Sequence, residues 1–430
     1  MKIYYSGDER FEEQFDELLN RGRMDMDSVT EKVAGLLREI RLEGDAALKR
    51  QIAMFDRWSP EKDSDLTIDR SMMRDAYDRL DPKLKEALHL AYERIENYHE
   101  KLMPRTWMEY EKNGSMLGQR VTPVERAGLY IPGGKAAYPS SLLMNAIPAI
   151  VAGVDEIVVC TPTPDDEINE LLLAASHLCG IERLFKVGGA SAIGAMAYGT
   201  ESVPKVDVIT GPGNIYVATA KKLVYGEVNI DMIAGPSEIG ILADSTARAD
   251  WLAIDLLSQA EHDEMASSIM ITDDAELAAR VGDEVEKQLS GLKREDIARR
   301  SIEDRAALIV AADMKEAVEL MNAIAPEHLE VVTDSPMELL GSIRHAGAIF
   351  LGALTPEPIG DYVAGPNHTL PTGGTAKFYS PLSVEHFLKK SSLIMMSEKG
   401  MEEIGEACAA IASVEGLEAH EKSVRARLRK

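Results

Sequence analysis

The spacing of apolar residues along this chain changes near residue 113. Before that point, residues 29–38, 46–55 and 84–102 set apolar against charged positions at three-and-four spacing, which predicts amphipathic helices. Residues 1–113 are therefore expected to be helical, with core faces and solvated charge but no recognisable chemistry. Beyond it, short apolar runs alternate with helical stretches. Residues 120–124 read as a strand, 131–134 as a Pro/Gly turn and 138–151 as a helix. Strands are predicted at 156–160, 184–187, 206–209 and 228–232, with helices at 167–179, 191–198 and 214–224 between them. Such alternation indicates a parallel, doubly wound sheet of the α/β class.

A second stretch repeats the pattern. A turn and strand over 233–243 lead into a helix at 251–263, a strand at 269–272, a charged helix at 274–292, a strand at 308–311 and a helix at 314–324. That helix must stop before Ala325-Pro326, because proline lacks the amide that the next turn needs. A strand follows at 346–351. Residues 355–383 then form a long Gly/Pro-rich stretch that is not of low complexity, and a loop of this length inside a compact domain points to function. The tail from residue 384 carries two further helices.

Several residues in this frame can carry chemistry. Gln259 and His262 are three apart, so on a helix an amide oxygen and an imidazole share one face, a pairing that suits a cation such as Zn²⁺. A polar helix edge explains the same pair. Glu327 and His328 are adjacent, just past a helix end, and can serve one site only if the backbone turns there. Asp361 and His368 lie in the long loop, and Glu415 and His420 flank a helix boundary at Gly416. Two glycine-rich turns, at 187–190 and 210–214, fall at the carboxyl ends of predicted strands, where such sheets bind ligands and helix starts favour phosphate. The second is not a full GxGxxG, since Tyr216 takes the third glycine position. Asp231 lies 20 residues after Gly211, where a ribose-binding acid is expected. Tight turns between strands and helices account for these glycines equally well.

Charge narrows the partners. Lys and Arg number 47 against 72 Asp and Glu, a net charge of −25, which opposes nucleic-acid and anionic-membrane binding. The first residues are too charged for a signal peptide, and the longest apolar run, 142–154, contains Asn145 and Pro148 and is too short to span a bilayer. Cys160, Cys179 and Cys408 have no metal or redox spacing and read as reduced thiols of a cytoplasmic protein.

The segments ERAGLYIPGG (125–134), GPGNIYVATAKKLVYG (211–226), DMIAGPSEIGILAD (231–244), LLSQAEHD (256–263), APEHLE (325–330) and GDYVAGPNHTLPTGGTAKFYSPLSV (360–384) together resemble histidinol dehydrogenase, from about residue 25 to the end. The resemblance implies an NAD-dependent oxidation of L-histidinol to L-histidine in two steps through L-histidinal, the last reaction of histidine biosynthesis. It implies a homodimer of two incomplete Rossmann-like domains with shared active sites and one zinc per subunit. By this resemblance the first domain comprises 25–130 and 239–383, the second, NAD-side domain 131–238, an N-terminal helical arm 1–24, and a tail, 384–430, that reaches the partner. Carried over residue by residue, Gln259, His262, Asp361 and His420 match the zinc ligands, His420 coming from the partner's tail. Glu327 and His328 match the acid–base pair. Gln259, His262, His328, Asp361 and His420 also match substrate contacts, with Ser237, His368 and Glu415, the last again from the partner. Tyr130, Ser191 and Asn214 match NAD-contacting positions, although the family commonly has Gln where Ser191 stands. A zinc hydrolase using Glu327 as base is the competing enzyme class. It lacks an HExxH pattern, since no second His follows His262 four residues on. A paralogue acting on another small alcohol would lack reason to keep the full residue set, and a non-catalytic binding protein would lack reason to keep the acid–base pair.

Overall fold

The computed structural model describes residues 1–20, 25–133 and 138–428. In chain order its strands are β1 (Lys2–Tyr5), β2 (Thr67–Asp69), β3 (Trp107–Tyr110), β4 (Met116–Pro123), β5 (Arg126–Tyr130), β6 (Glu156–Thr161), β7 (Arg183–Lys186), β8 (Val208–Thr210), β9 (Asn229–Ile230), β10 (Glu238–Ala243), β11 (Ser267–Thr272), β12 (Ala307–Val310), β13 (His328–Val332), β14 (Ala348–Leu351) and β15 (Leu388–Met395). They form two six-stranded sheets, ordered β1-β12-β11-β10-β13-β14 and β2-β7-β6-β5-β8-β9, and a three-stranded sheet β15-β4-β3. The first sheet is parallel throughout, and the second is parallel except for β2. The two large sheets reproduce the expected α/β class, because uniformly buried strands such as β10 and β11 need helices on both faces.

Each large sheet is covered by an apolar cluster on either side. The β5–β9 lobe packs Leu142, Leu173 and Ile95 on one face and Val33, Ile193 and Val217 on the other. The β10–β14 lobe packs Leu256 and Val281 on one face and Phe15 and Met321 on the other. Fully buried side chains of this size stabilise by about 1.5–3 kcal/mol each.

The division of the chain differs from the expected one. Residues 25–130 do not belong with 239–383. The helices Asp27–Glu43 and Asp45–Phe55, together with β2 and β5, build the second lobe, and β5 is its central strand between β6 and β8. Nor are residues 1–24 only a helical arm. β1 joins the first lobe beside β12, and the helix Phe11–Leu19 places Phe11 and Phe15 in that lobe's core. Three short strands interrupt the expected N-terminal helices because their exposed or mixed burial patterns carry no periodic apolar signal. The tail does hold two helices, Glu398–Val414 and Glu418–Leu428, but it enters through β15, which pairs antiparallel with all of β4. The helix Glu295–Arg305 was not expected, and Gly134 of the expected 131–134 turn lies outside the described residues.

Asp231 departs most from its expected role. It is buried and paired with buried Lys221; one carboxylate oxygen accepts from the Gly211 amide (2.9 Å) and Lys221 Nζ donates to the Gly211 carbonyl (3.0 Å). The pair thus clamps both sides of a glycine whose φ is +118° and whose absent Cβ would stand 2.0 Å from the Tyr130 carbonyl oxygen. A carboxylate so engaged is not free to bind ribose. Replacing Lys221 by Met leaves Asp231 as a buried charge without its partner, which costs about 3–5 kcal/mol. Urea unfolding should show that loss, and the double replacement Lys221→Met/Asp231→Leu should recover part of it. A single variant as stable as the parent would mean that the pair is no clamp.

Candidate active site

The two lobes meet with opposite edges. At the second lobe, β5, β6, β7 and β8 end in the turns that hold Tyr130, Pro162, Gly188 and Asn214, so its carboxyl edge lines a cavity of about 420 Å³. Tyr130, Ser191 and Asn214 all line it. The Tyr130 hydroxyl accepts from the Gly189 amide (3.2 Å), and Asn214 caps the helix Ile215–Val224 through its side chain. The helix Gly189–Tyr198 begins at the same cavity without a side-chain cap, which leaves its positive end for an anion. The hydroxyl of Ser191 is turned to Gln51 Oε1 at 2.6 Å.

The first lobe contributes its amino edge. Glu238 and His328 are the first residues of neighbouring strands β10 and β13, and Ser237 lies just before β10. The turn required for Glu327 and His328 to converge is present. Ala325 is left-handed (φ 50°, ψ 62°), and Pro326 ends the helix Met314–Ile324. The absent Cβ of Gly347, beside β14, would stand 2.5 Å from the Glu327 carbonyl oxygen, so only glycine lets the chains close there. Glu327 Oε2 accepts from the Glu238 amide (2.9 Å) and lies 3.8 Å from His328 Nδ1. His328 Nδ1 donates to the Glu238 carbonyl (3.0 Å), which leaves Nε2 as the nitrogen able to accept a proton.

His328 Nε2 faces Asp361 Oδ1 at 3.4 Å and Glu357 Oε1 at 4.0 Å. Glu357 was not expected here. It is buried, its carboxylate accepts from Ser258 Oγ (3.1 Å), and its amide donates to Glu330 Oε1 (2.7 Å). The signal was present, since Glu357 and Asp361 are four apart across a short helical segment and so share a face. His368, on the same loop, donates from Nδ1 to the Asp361 carbonyl (3.1 Å).

His262 also comes to this cluster, with Gln259 one turn before it. The helix Ala249–Ala260 stops short of His262, but the His262 amide still donates to the Gln259 carbonyl (3.1 Å), preserving one turn. Gln259 Oε1 and His262 Nδ1 are buried without a hydrogen-bond partner among the described residues. His262 lies close enough to Asp361 and His328 for their charges to act on it.

The electrostatics are unusual. Burial pushes the Glu327 and Glu357 carboxyls up to about 8, and Glu330 up to about 9 with Asp255 opposing its ionisation. Burial alone would lower His328, but Glu327 and Asp361 outweigh it and hold its pKa well above the ordinary value. Burial likewise works against Asp361 ionisation, but the His328 hydrogen bond and charge prevail and lower its pKa. Burial keeps His262 and His368 below the usual imidazole value, so both favour the neutral form that binds metals or accepts protons. Among the described residues no Lys or Arg pairs with Glu327, Glu330, Glu357 or Asp361, so the cluster is short of positive charge. Among the described residues, the ligand atoms of His328, Glu357 and Asp361 lie close enough together to hold one ion, and the orphaned amide oxygen of Gln259 and imidazole nitrogen of His262 are donors that suit Zn²⁺.

Glu415 and His420 are not brought to this cluster by their own chain. Both are exposed on the tail, Glu415 at the end of the helix Glu398–Val414 and His420 in the helix that follows.

A family profile described as histidinol dehydrogenase matches residues 19–428. The histidinol dehydrogenase of Wolinella succinogenes is 67% identical over 418 residues, covering 97% of this chain and 97% of that protein. That of Sulfurimonas denitrificans is 65% identical over the same shares of the two chains. A crystal structure of histidinol dehydrogenase from Elizabethkingia anophelis superposes with a TM-score of 0.94 at 34% identity, covering 100% of this chain and 98% of that one. Matched in sequence over nearly its whole length and in fold over all of it, the chain belongs to the histidinol dehydrogenase family.

Proposed function

We propose that this protein oxidises L-histidinol to L-histidine through L-histidinal with NAD, using His328 and Glu327 as its acid–base pair and a zinc ion held by Gln259, His262 and Asp361. The gathering of Glu327, His328, Asp361 and His262, with Gln259 one turn before His262, supports the reading. The zinc, when bound, would supply a template for the amine and imidazole nitrogens of the substrate, and two NAD molecules in succession would each accept one hydride. His328 Nε2, its ring fixed through the Glu238 carbonyl, takes the hydroxyl proton in each oxidation. Glu327, held by the Glu238 amide, accepts a proton from the water that hydrates the aldehyde before the second oxidation. Ser237 and His368 border the site as substrate contacts. Asp361 keeps His328 oriented as well as contributing to the metal set.

The cavity at the carboxyl edge of the second lobe is the NAD site in this reading. Tyr130, Ser191 and Asn214 line it. Because the Ser191 hydroxyl is engaged with Gln51, the Ser191 contact with the cofactor falls to its backbone, at the uncapped start of the helix Gly189–Tyr198. Lys32, exposed at the rim over the Tyr216 ring (5.2 Å), adds positive charge for the pyrophosphate.

The protein works as a homodimer in which the tail serves the partner's site. The tail and its supporting hairpin expose Trp107, Met108, Tyr110, Ile394, Ile404, Ile411 and Val414, an apolar surface that a second subunit would cover. The tail then places Glu415 against the substrate and His420 as the fourth zinc ligand, both supplied in trans. No described helix is long and apolar enough to cross a membrane, and the net charge disfavours an anionic surface; a cytoplasmic enzyme fits both.

Each role has its own test. His262→Asn should lose zinc by metal analysis, and activity with it, while remaining a folded dimer; full zinc retention would remove His262 from the ligand set.

Glu327→Gln should slow oxidation of supplied histidinal more than the first oxidation of histidinol, whereas His328→Asn should slow both. Equal losses on the two substrates for Glu327→Gln would remove it from water activation. Both groups act as proton acceptors, so the rate should climb as rising pH removes their protons. Glu327→Gln should flatten that climb for the aldehyde step.

Asp361→Ala and His420→Ala, each inactive as homodimers, should regain activity when refolded together. Random pairing makes about half the dimers mixed, with one intact site each, so roughly a quarter of all sites recover. A mixture that contains heterodimers and stays inactive would assign His420 to its own chain.

A further inference from the structure

The acid expected to bind ribose, Asp231, is locked by Lys221 and the Gly211 amide, so the cofactor cavity must find its ribose acceptor elsewhere. We propose that Asp56 is that acceptor: its carboxylate receives the adenosine-ribose hydroxyls of the dinucleotide and thereby rejects the 2′-phosphorylated form. This assignment rests on the reading of the cavity as the NAD site.

Asp56 is the one carboxylate among the described residues lining the cavity. It closes the helix Asp45–Phe55 and is 7% exposed. Its carboxylate holds the Thr163 amide, and the one nearby cation acting on it, Arg57, is itself engaged by Asp165. A carboxylate offers about four lone-pair sites, so acceptor capacity remains, and a buried carboxylate gains from donors that fill it. A ribose diol brings two O–H donors at the spacing of one carboxylate. A 2′-phosphate in the same place would bring a dianion against a buried anion.

The backbone around Asp56 supports the same assignment. Among the described residues four non-glycine residues have positive φ: Arg57 (61°), Asp165 (58°), Asp166 (64°) and Ala325 (50°). Ala325 precedes the acid–base pair. The other three frame Asp56, with the Asp165 amide donating to the Asp56 carbonyl (2.7 Å). Left-handed backbone at non-glycine residues costs about 1–3 kcal/mol each and collects where a site demands it.

Position selects the adenosine half. Asp56 meets Thr163, in the turn after β6, on the side of the cavity toward β6 and β7. The side toward the acid–base cluster lies at β5, because the helix Pro139–Ala152 that follows β5 is bound through the Met144 carbonyl to Asn367, on the loop that carries Asp361 and His368. A dinucleotide whose nicotinamide reaches His328 therefore extends its other end toward Asp56.

The test uses the full-length, zinc-loaded enzyme, with NAD, NADP and histidinol each varied. Asp56→Asn should raise the NAD KM about 10-fold or more, the effect of losing a charge-assisted pair of hydrogen bonds to a buried site. The histidinol KM should stay within about two-fold, and the NAD-to-NADP ratio of kcat/KM should fall about 10-fold. Asp56→Glu should retain the rejection of NADP. Lys32→Glu, at an exposed position of the same cavity, is run alongside and should also raise the NAD KM. If Lys32→Glu raises it and Asp56→Asn leaves both the NAD KM and the cofactor ratio unchanged, the Asp56 assignment is overturned and the cavity reading stands. If neither variant moves the NAD KM, the cavity reading fails and the assignment with it. If Asp56→Asn lowers the urea midpoint and raises both KM values with the cofactor ratio unchanged, Asp56 is a structural residue and the proposal is overturned.

Discussion

Glu327, Glu330, Glu357 and Asp361 are gathered around the single imidazole of His328, in a region that water barely reaches and that no described Lys or Arg enters. Burying several carboxylates without compensating cations is unfavourable by several kcal/mol per charge, so such a cluster either binds protons or binds a cation. The raised carboxyl and imidazole pKa values correspond to the first outcome. A divalent ion would provide the second. The unfilled acceptors on Gln259 and His262, at the margin of the same cluster, suit that ion. The rest of the fold can be understood as a means of holding this charge excess in place.

Two doubly wound sheets accomplish this by presenting unlike edges. The second lobe offers the carboxyl edge, where helix starts and glycine turns suit a dinucleotide. The first lobe offers the amino edge, where Glu238 and His328 begin adjacent strands. The long loop after β14 joins them. It carries Asp361 and His368 to the junction and is tied to the second lobe by hydrogen bonds. Arg94 donates to the Val363 and Ala364 carbonyls (2.6 and 3.1 Å), and Asn367 to the Met144 carbonyl. Its apolar end, Leu382, Val384 and Phe387, is buried in that lobe's core. A displacement of one lobe therefore pulls directly on the loop that carries Asp361 and His368, which couples domain position to site geometry.

The tail stands apart from both lobes. Its helices pack on each other and on the β3–β4 hairpin through Ser115, Ser397, and the Asn113–Glu403 pair (2.7 Å). An element with so little core of its own, and with large apolar side chains exposed, derives little stability within one chain. That weakness is what the proposed exchange between subunits would require.

Local pattern was enough for the elements and the family. Helical periodicity, alternation of strand and helix, and Pro326 as a stop depend only on neighbours in sequence, and most predicted elements lie within a few residues of the observed ones. The strings around Gln259, Glu327 and Asp361 likewise supplied the acid–base and metal candidates through the family resemblance they carry. What sequence could not supply was assembly. Residues 25–130 joined the wrong expected lobe because strand order depends on long-range pairing, and β5 carries no local mark of which sheet it enters. Asp231 stood at the right spacing for ribose, yet whether a carboxylate is free or clamped depends on a lysine ten residues away that packs back under it. Glu357 passed unnoticed because its role arises from burial beside His328, 29 positions earlier, and burial is a property of the packed molecule alone.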